Sequence, residues 1–172
     1  TIHLATEKFD AGKILVQKEI EISSEDTFLS LEEKLTAAGV HLLIETIPKW
    51  LRGEIAPQEQ TESEATYSHF IKTEDGHIDW SRPGEEILRK IRALNPEPGT
   101  FTGWENKRLL ILKAKFKKAE HELKPGEVAK DFAIAAPDGL VFPEKIKLEG
   151  RKEMPAADFL KGHSKIIGSA LT

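Results

Sequence analysis

The sequence predicts a mixed chain of the α+β class in two parts, of which the second is a small antiparallel β-barrel with flanking helices. Three observations carry this prediction. Residues 1–55 follow a strand, turn, strand, helix pattern, and residues 56–77 are acidic and lack periodicity. Residues 78–172 combine one amphipathic helix with short strands separated by turn residues. We therefore predict two domains joined by a linker at 56–77.

The composition limits the possible classes of protein. A chain of 172 residues with 39% hydrophobic and 31% charged residues is typical of a soluble globular protein. No apolar run reaches the roughly 20 residues of a membrane helix, so we expect no membrane span. The absence of cysteine excludes disulfides and thiolate metal sites. A net charge of −4 argues weakly against a protein coated in nucleic acid, but a local basic surface can still bind phosphates.

The first part begins with two predicted strands. Ile2–Leu4 is a short alternating piece, and a loop follows up to Gly12. Apolar residues then alternate over Ile14–Ile22, where Lys18 interrupts the pattern as in a partly solvated edge strand. The first residue is not Met and no secretory leader precedes the strands, so we expect the chain to begin inside a domain.

A long helix completes the first part. Apolar residues keep helical spacing over 28–50, and Asp26 or Thr27 is a candidate N-cap. Gly39 and Pro48 are candidate positions for a bend or a division.

The second part opens with Ile78-Asp79-Trp80 and a helix that Pro96 and Pro98 end. Ser81 is a candidate N-cap and Pro83 lies near the first turn. The predicted buried stripe is Ile87, Leu88, Ile91 and Leu94. Short strands follow, punctuated by turn residues at Gly103, Asn106, Pro125-Gly126, Pro137-Asp138-Gly139 and Gly150. A last helix is predicted near Ala156 to His163, with Ala157 and Leu160 as its contacts.

Four motifs carry a family resemblance. They are Phe9-Asp10-Ala11-Gly12-Lys13-Ile14-Leu15, Asp79-Trp80-Ser81-Arg82-Pro83, Arg92-Ala93-Leu94-Asn95-Pro96-Glu97-Pro98-Gly99 and Leu148-Glu149-Gly150-Arg151-Lys152-Glu153-Met154. With these motifs the chain resembles the C-terminal half of methionyl-tRNA formyltransferases over nearly all its residues. The resemblance implies that 1–55 end an α/β Rossmann-like catalytic domain and that 78–172 form an OB-like tRNA-binding domain. It also implies a cytoplasmic monomer that takes 10-formyltetrahydrofolate and initiator methionyl-tRNA as substrates.

The resemblance assigns a catalytic role to Asp10. Taken alone, an Asp before Ala-Gly is most simply a turn residue whose carboxylate bonds nearby amides. In the family the matching aspartate orients a histidine and aids proton transfer, and the same loop contacts folate, which implies cofactor contacts for His3, Phe9 and Gly12. The family's catalytic Asn and His lie upstream of Thr1. We therefore expect no detectable formyl transfer by these 172 residues alone.

A basic run over residues 107–118 is the second candidate site. Its cations are Lys107, Arg108, Lys113, Lys115, Lys117 and Lys118, with no acid among them. Leu110, Leu112, Ala114 and Phe116 occupy alternate positions, which indicates a two-faced strand. Lysines about 6.6 to 6.8 Å apart per two residues could follow a phosphate backbone, although an ordinary solvated strand has the same pattern. The resemblance favours tRNA binding and adds Arg82, Arg89 and Arg92 of the preceding helix.

Three other interpretations stay open. The chain could belong to a formyltransferase that acts on an amino sugar nucleotide, to the hydrolase part of a formyltetrahydrofolate dehydrogenase, or to an RNA-binding module without activity. A metal site is a weaker possibility, because His69, His77 and Asp79 do not form a compact ligand set, and we predict none.

Overall fold

The computed structural model describes all 172 residues and divides them into two compact units, unit 1 (Thr1–His69) and unit 2 (Phe70–Thr172). The predicted linker at 56–77 falls on both sides of this division. The helices and strands are β1 (Ile2–His3), β2 (Ile14–Val16), α1 (Phe28–Leu51), α2 (Gly84–Leu94), β3 (Phe101–Trp104), β4 (Lys107–Lys118), β5 (Ile134–Ala136), β6 (Gly139–Leu148), β7 (Met154–Pro155) and α3 (Ala156–Gly162). None of these helices has the length and apolar character needed to cross a membrane.

Unit 1 holds a two-stranded antiparallel sheet in which β1 pairs with β2. The predicted length of the second strand is wrong, because β2 ends at Val16 and not at Ile22. β1 offers only two residues for pairing, and on the other side β2 meets only Gln58, through Ile14. Residues 17–22 therefore have alternating side chains but no neighbouring strand to pair with.

Helix α1 follows in unit 1, and its N-cap is Thr27, one of the two candidates that the sequence offers. The Thr27 hydroxyl accepts a hydrogen bond from the Ser30 amide at 3.2 Å, and the Thr27 amide donates to Ser30 Oγ at 3.0 Å. This reciprocal pair satisfies amides that the first helical turn leaves unpaired. The predicted division does not occur, because one helix of 24 residues runs through Gly39 and Pro48.

Unit 2 is built on a five-stranded antiparallel sheet with the order β3-β4-β6-β5, and β7 pairs with β6. The chain thus combines helices with an antiparallel sheet, which confirms the mixed fold class. One cluster of buried side chains covers the inner face of this sheet and includes Ile87 and Ile91 from α2, which confirms the centre of the predicted stripe.

The start of α2 differs from the prediction. Ser81 does not cap the helix, because its amide and hydroxyl both donate to the Asp79 carboxylate, at 3.0 and 2.6 Å. The helix begins at Gly84 instead, and the Gly84 amide donates to Asp138 Oδ1 at 2.8 Å. A carboxylate from the turn between β5 and β6 therefore supplies the cap, and a local sequence pattern does not reveal a partner so far along the chain.

Helix α3 lies close to its predicted position but contacts the core differently. Ala156 and Phe159 are buried, and Leu160 packs partly against the core, as predicted. Ala157 is exposed, so its predicted contact is wrong. Its neighbour Ala156 takes the place instead, one residue earlier on the helix.

Candidate functional site

The loop between β1 and β2 carries Asp10 and closes tightly against β1. Gly12 is buried, and a Cβ at this position would collide with the Leu4 carbonyl oxygen. The Leu4 amide donates a hydrogen bond to the Lys13 carbonyl at 3.0 Å. Glycine is therefore required at position 12 by the close approach of the two backbone segments.

Asp10 and His3 come together at the mouth of this loop. His3 Nε2 lies 3.6 Å from Asp10 Oδ1, and the Asp10 side chain is 94% exposed. His3 Nδ1 lies 3.0 Å from the Leu4 carbonyl oxygen, which accepts from it, so Nε2 is the ring nitrogen that faces the carboxylate. The 3.6 Å gap is longer than a hydrogen bond, so the two groups are neighbours without a direct bond, and each can exchange a proton with a bound substrate on its own. The Phe9 ring, in contrast, is fully exposed.

A segment that the sequence assigned to the linker packs along this loop. The main chain of Gln58 exchanges two hydrogen bonds with Ile14, both 2.8 Å long, and Lys13 Nζ lies 2.5 Å from Glu59 Oε1. The acidic, aperiodic composition of 54–64 gave no sign of these contacts, because backbone pairing leaves no side-chain pattern.

Two compensating bulges set the faces of β4 and β6. Ile111 pairs with Ile146 and Lys113 with Lys145, so β4 carries one extra residue between these pairs. Ala114 pairs with Pro143, so β6 carries the next extra residue, Glu144. Each bulge shifts the alternation of its strand by one residue.

Because of the bulge in β4, the predicted assignment of buried and exposed faces is wrong for the first half of this strand. Leu109 and Ile111 are the fully buried residues there, and not Leu110 and Leu112. Beyond the bulge the alternation matches the prediction, since Ala114 and Phe116 pack partly against the core.

A surface that we call the lysine face results from this arrangement. Its members are Lys113, Lys115 and Lys117 of β4 and Lys145 and Lys147 of β6, all of them exposed. Lys113 lies directly opposite Lys145 across the ladder, a placement that is unfavourable for like charges. The sequence prediction did not include the two lysines of β6. Their signal is that Lys145 and Lys147 alternate with the apolar Ile146 and Leu148.

Glu144 lies in the β6 bulge and pairs with two members of the lysine face. Its carboxylate oxygens lie 2.5 Å from Lys115 Nζ and 3.3 Å from Lys113 Nζ, and its side chain is only 28% exposed. The hydrogen bond from Lys115, aided by Lys113, holds the pKa of the Glu144 carboxyl below its usual range. Lys145 pairs in the same way with Glu153, at 2.6 Å. These acids lower the net charge of the face.

The other predicted cations of β4 lie towards its ends. The Arg108 guanidinium sits over the ring of Phe101, 4.7 Å from its centroid, and so has an aromatic partner. Lys107 and Lys118 are the exposed terminal residues of the strand. Phe142, a half-buried aromatic residue, lies directly opposite Lys115 across the ladder.

The predicted arginines of α2 do not join the lysine face. Gly84 of α2 lies against the Phe116 ring, and Phe116 points to the side of β4 opposite Lys115 and Lys117. Arg82, whose Nε lies 2.9 Å from Glu86 Oε1, therefore belongs to a separate surface. Arg82 precedes α2, so its predicted place on the helix is wrong, whereas Arg89 and Arg92 lie on α2 itself.

The structure contains no group of three or more His, Cys, Asp or Glu side chains arranged to hold a metal ion. His121 stabilises the turn between β5 and β6, since its Nε2 lies 2.9 Å from the Ala136 carbonyl oxygen and 3.0 Å from that of Gly139.

Several solved structures share this fold. HypX from Aquifex aeolicus, in a complex with tetrahydrofolic acid, aligns over 95% of this chain and 30% of its own, with a TM-score of 0.71 and 23% identity. An N-formyltransferase from Helicobacter canadensis, in a complex with folinic acid and dTDP-3-aminofucose, covers 81% of this chain and 52% of its own, with a TM-score of 0.62 and 20% identity.

Curated relatives and family models match the chain by sequence as well. Methionyl-tRNA formyltransferase of Bacillus licheniformis is 37% identical over 167 residues, which are 94% of this chain and 53% of the relative. That of Bacillus subtilis is 36% identical over 176 residues, or 99% of this chain and 56% of the relative. The chain thus spans about half the length of the curated relatives it matches. The family model of the formyl transferase C-terminal domain matches residues 70–164, and the formyl transferase model matches 1–47. The chain belongs to the formyl transferase family.

Proposed function

We propose that this chain is the part of a cytoplasmic methionyl-tRNA formyltransferase that carries the catalytic aspartate and the tRNA-binding surface. The reaction transfers the formyl group of 10-formyltetrahydrofolate to the amino group of methionine on initiator tRNA. The lysine face is the single observation that carries the proposal, because a small amino sugar substrate needs no extended row of cations. The relatives at 36% and 37% identity support the same activity.

Two domains would divide this work. Residues 1–55 would end an α/β Rossmann-like domain that binds folate, and the likeness to HypX with tetrahydrofolic acid supports this assignment. Residues 78–172 would form an OB-like barrel, a fold that commonly binds nucleic acids on an exposed sheet face. The continuous antiparallel sheet with its buried inner face is consistent with such a barrel.

The Asp10 loop would serve the proton transfer. When the amine attacks the formyl carbon, a C–N bond forms and an oxyanion develops, and the ammonium must then lose a proton before the bond to folate breaks. The accessible Asp10 carboxylate would orient a catalytic histidine and stabilise the imidazolium that receives the proton. His3, Phe9 and Gly12 would form the folate side of the same loop.

The lysine face would hold tRNA through its phosphates. Lys113, Lys115 and Lys117 project from one face of β4, and Lys147 extends this face onto β6. Other stretches of the tRNA backbone would contact Arg82 just before α2, Arg89 and Arg92 on α2, and the ends of β4 with Lys107, Arg108 and Lys118. Phosphate contacts of this kind position an RNA without reading its bases.

A formyltransferase for amino sugar nucleotides is the second candidate, because the enzyme from Helicobacter canadensis shares the fold. Binding measurements with initiator tRNA, an elongator tRNA and an amino sugar nucleotide separate the two. We expect salt-sensitive binding of initiator tRNA and none of the sugar nucleotide. Binding of the sugar nucleotide with indifference to tRNA would refute the proposed function.

A further inference from the structure

We propose that Gln60 is a positioning residue that holds the Asp10 loop in its working shape. The role of Asp10 itself rests on the function proposed above, whereas the contact between Gln60 and the loop is independent of that function.

The side-chain amide of Gln60 spans the loop. Gln60 Nε2 donates to the carbonyl oxygen of Asp10 at 2.7 Å and to that of Gly12 at 2.6 Å. A primary amide has two N–H donors, so both are used on two carbonyls that lie two residues apart. This geometry fixes the orientation of the Asp10–Ala11 and Gly12–Lys13 peptide groups.

The loop needs such a partner. Asp10 adopts a left-handed backbone conformation with φ of 52°, which is uncommon for a residue other than glycine. The Leu4 to Lys13 hydrogen bond closes the base of the loop but leaves the carbonyls near its tip without a main-chain donor. The Gln60 side-chain amide supplies the hydrogen-bond donors that a neighbouring strand would otherwise provide to these carbonyls.

Gln60 is held in place by its own neighbours. Gln58 bonds the main chain of Ile14 in both directions, and Glu59 pairs with Lys13. The segment 58–60 therefore stays on β2 through contacts that do not involve the Gln60 side chain. We call the two side-chain hydrogen bonds of Gln60 to Asp10 and Gly12 the clamp. A substitution at Gln60 should remove the clamp without releasing segment 58–60 from β2.

The expected consequence concerns the direction of the Asp10 side chain. Its Cβ direction follows from the backbone torsions that the clamp fixes, and this direction brings Oδ1 to 3.6 Å from His3 Nε2. Without the clamp, the carboxylate would sample several orientations. Precise placement of catalytic groups contributes strongly to rate, so a loosened loop should impair chemistry at Asp10.

Hydrogen exchange measured by NMR tests whether the two Gln60 bonds keep the base of the loop closed, where the Leu4 amide donates to Lys13. In Gln60→Met, which keeps a similar length but has no donor, we expect the Leu4 amide to exchange roughly three to ten times faster. The Ile14 amide, which donates to Gln58, should be unchanged. Gln58→Met is the matched control, because the exposed Gln58 contributes main-chain bonds only, and it should alter neither amide. Gln60→Lys, which restores a donor, should recover the slow exchange of Leu4.

A second readout tests positioning rather than packing. In the wild-type chain, Asp10→Asn should change the NMR chemical shift of the His3 ring nitrogens. In the Gln60→Met chain, the same Asp10→Asn substitution should change this chemical shift far less. An unchanged Leu4 exchange rate in Gln60→Met, or an undiminished His3 response, would overturn the role of Gln60. Tetrahydrofolate binding by the wild-type chain tests the proposed function separately, since its failure would leave the exchange result untouched.

Discussion

The two units of this chain are stabilised in different ways. Every side chain of the hydrophobic core belongs to unit 2, from Ile78 to Leu171. Unit 1 buries only Gly12 and Thr46 and keeps large apolar side chains of α1 exposed. Unit 1 relies instead on hydrogen bonds between short segments, such as the Thr27 cap and the Gln58 bridge. The difference teaches that the hydrophobic core of unit 2 holds the lysine face in position, whereas individual hydrogen bonds hold the Asp10 loop in its conformation.

Core substitutions should show the largest contrast between the units. Ile111→Ala removes a fully buried side chain of β4 and should destabilise unit 2 by about 2–5 kcal/mol. Ile44→Ala removes an exposed side chain of α1 and should change stability by no more than about 0.5 kcal/mol. Urea unfolding followed by the fluorescence of Trp80 and Trp104 measures the first, and amide exchange in α1 measures the second. Equal losses would refute the contrast.

A single cap should matter more in unit 1 than a single exposed apolar residue. Thr27→Ala removes the acceptor of the Ser30 amide and should destabilise α1 by about 1 kcal/mol. Exchange of the amides in the first turn of α1 measures the loss, and Thr27→Ser should restore most of it. An effect no larger than that of Ile44→Ala would show that hydrogen bonds do not dominate there.

Acid should weaken unit 2 slightly through Glu144. Because Lys115 lowers the pKa of this carboxyl in the folded state, its contribution to stability is complete above the ordinary pKa of a glutamate. The contribution is lost as the pH falls through the lower folded-state value. Urea midpoints of wild type and Glu144→Gln, measured from about pH 6 to about pH 3, should therefore converge with acid. A difference that stays constant over this range would contradict the ion pairs of Glu144.

Much of unit 2 could be predicted from the sequence, because helical and strand periodicities follow directly from burial. The α2 stripe and the outward direction of Lys113, Lys115 and Lys117 are examples. The bulges were not predictable, because a bulge is a property of two paired strands and depends on residues around Glu144 in β6. In unit 1 the cap is a local signal, which narrows the choice to Asp26 or Thr27. The clamp of Gln60 joins residues 48 and 50 positions apart and leaves no periodic trace.

The salt dependence of initiator tRNA binding tests the central claim most directly. Wild type should be compared with Lys113→Glu/Lys115→Glu and with Lys18→Glu/Lys49→Glu, a control with the same charge change on unit 1. Each phosphate contact contributes roughly 0.7 to 0.9 to the slope of log affinity against log salt concentration. The account predicts that the lysine-face variant loses about 1 to 2 from this slope while keeping its fold, and that the control keeps the wild-type slope. Equal slopes in all three proteins would contradict it.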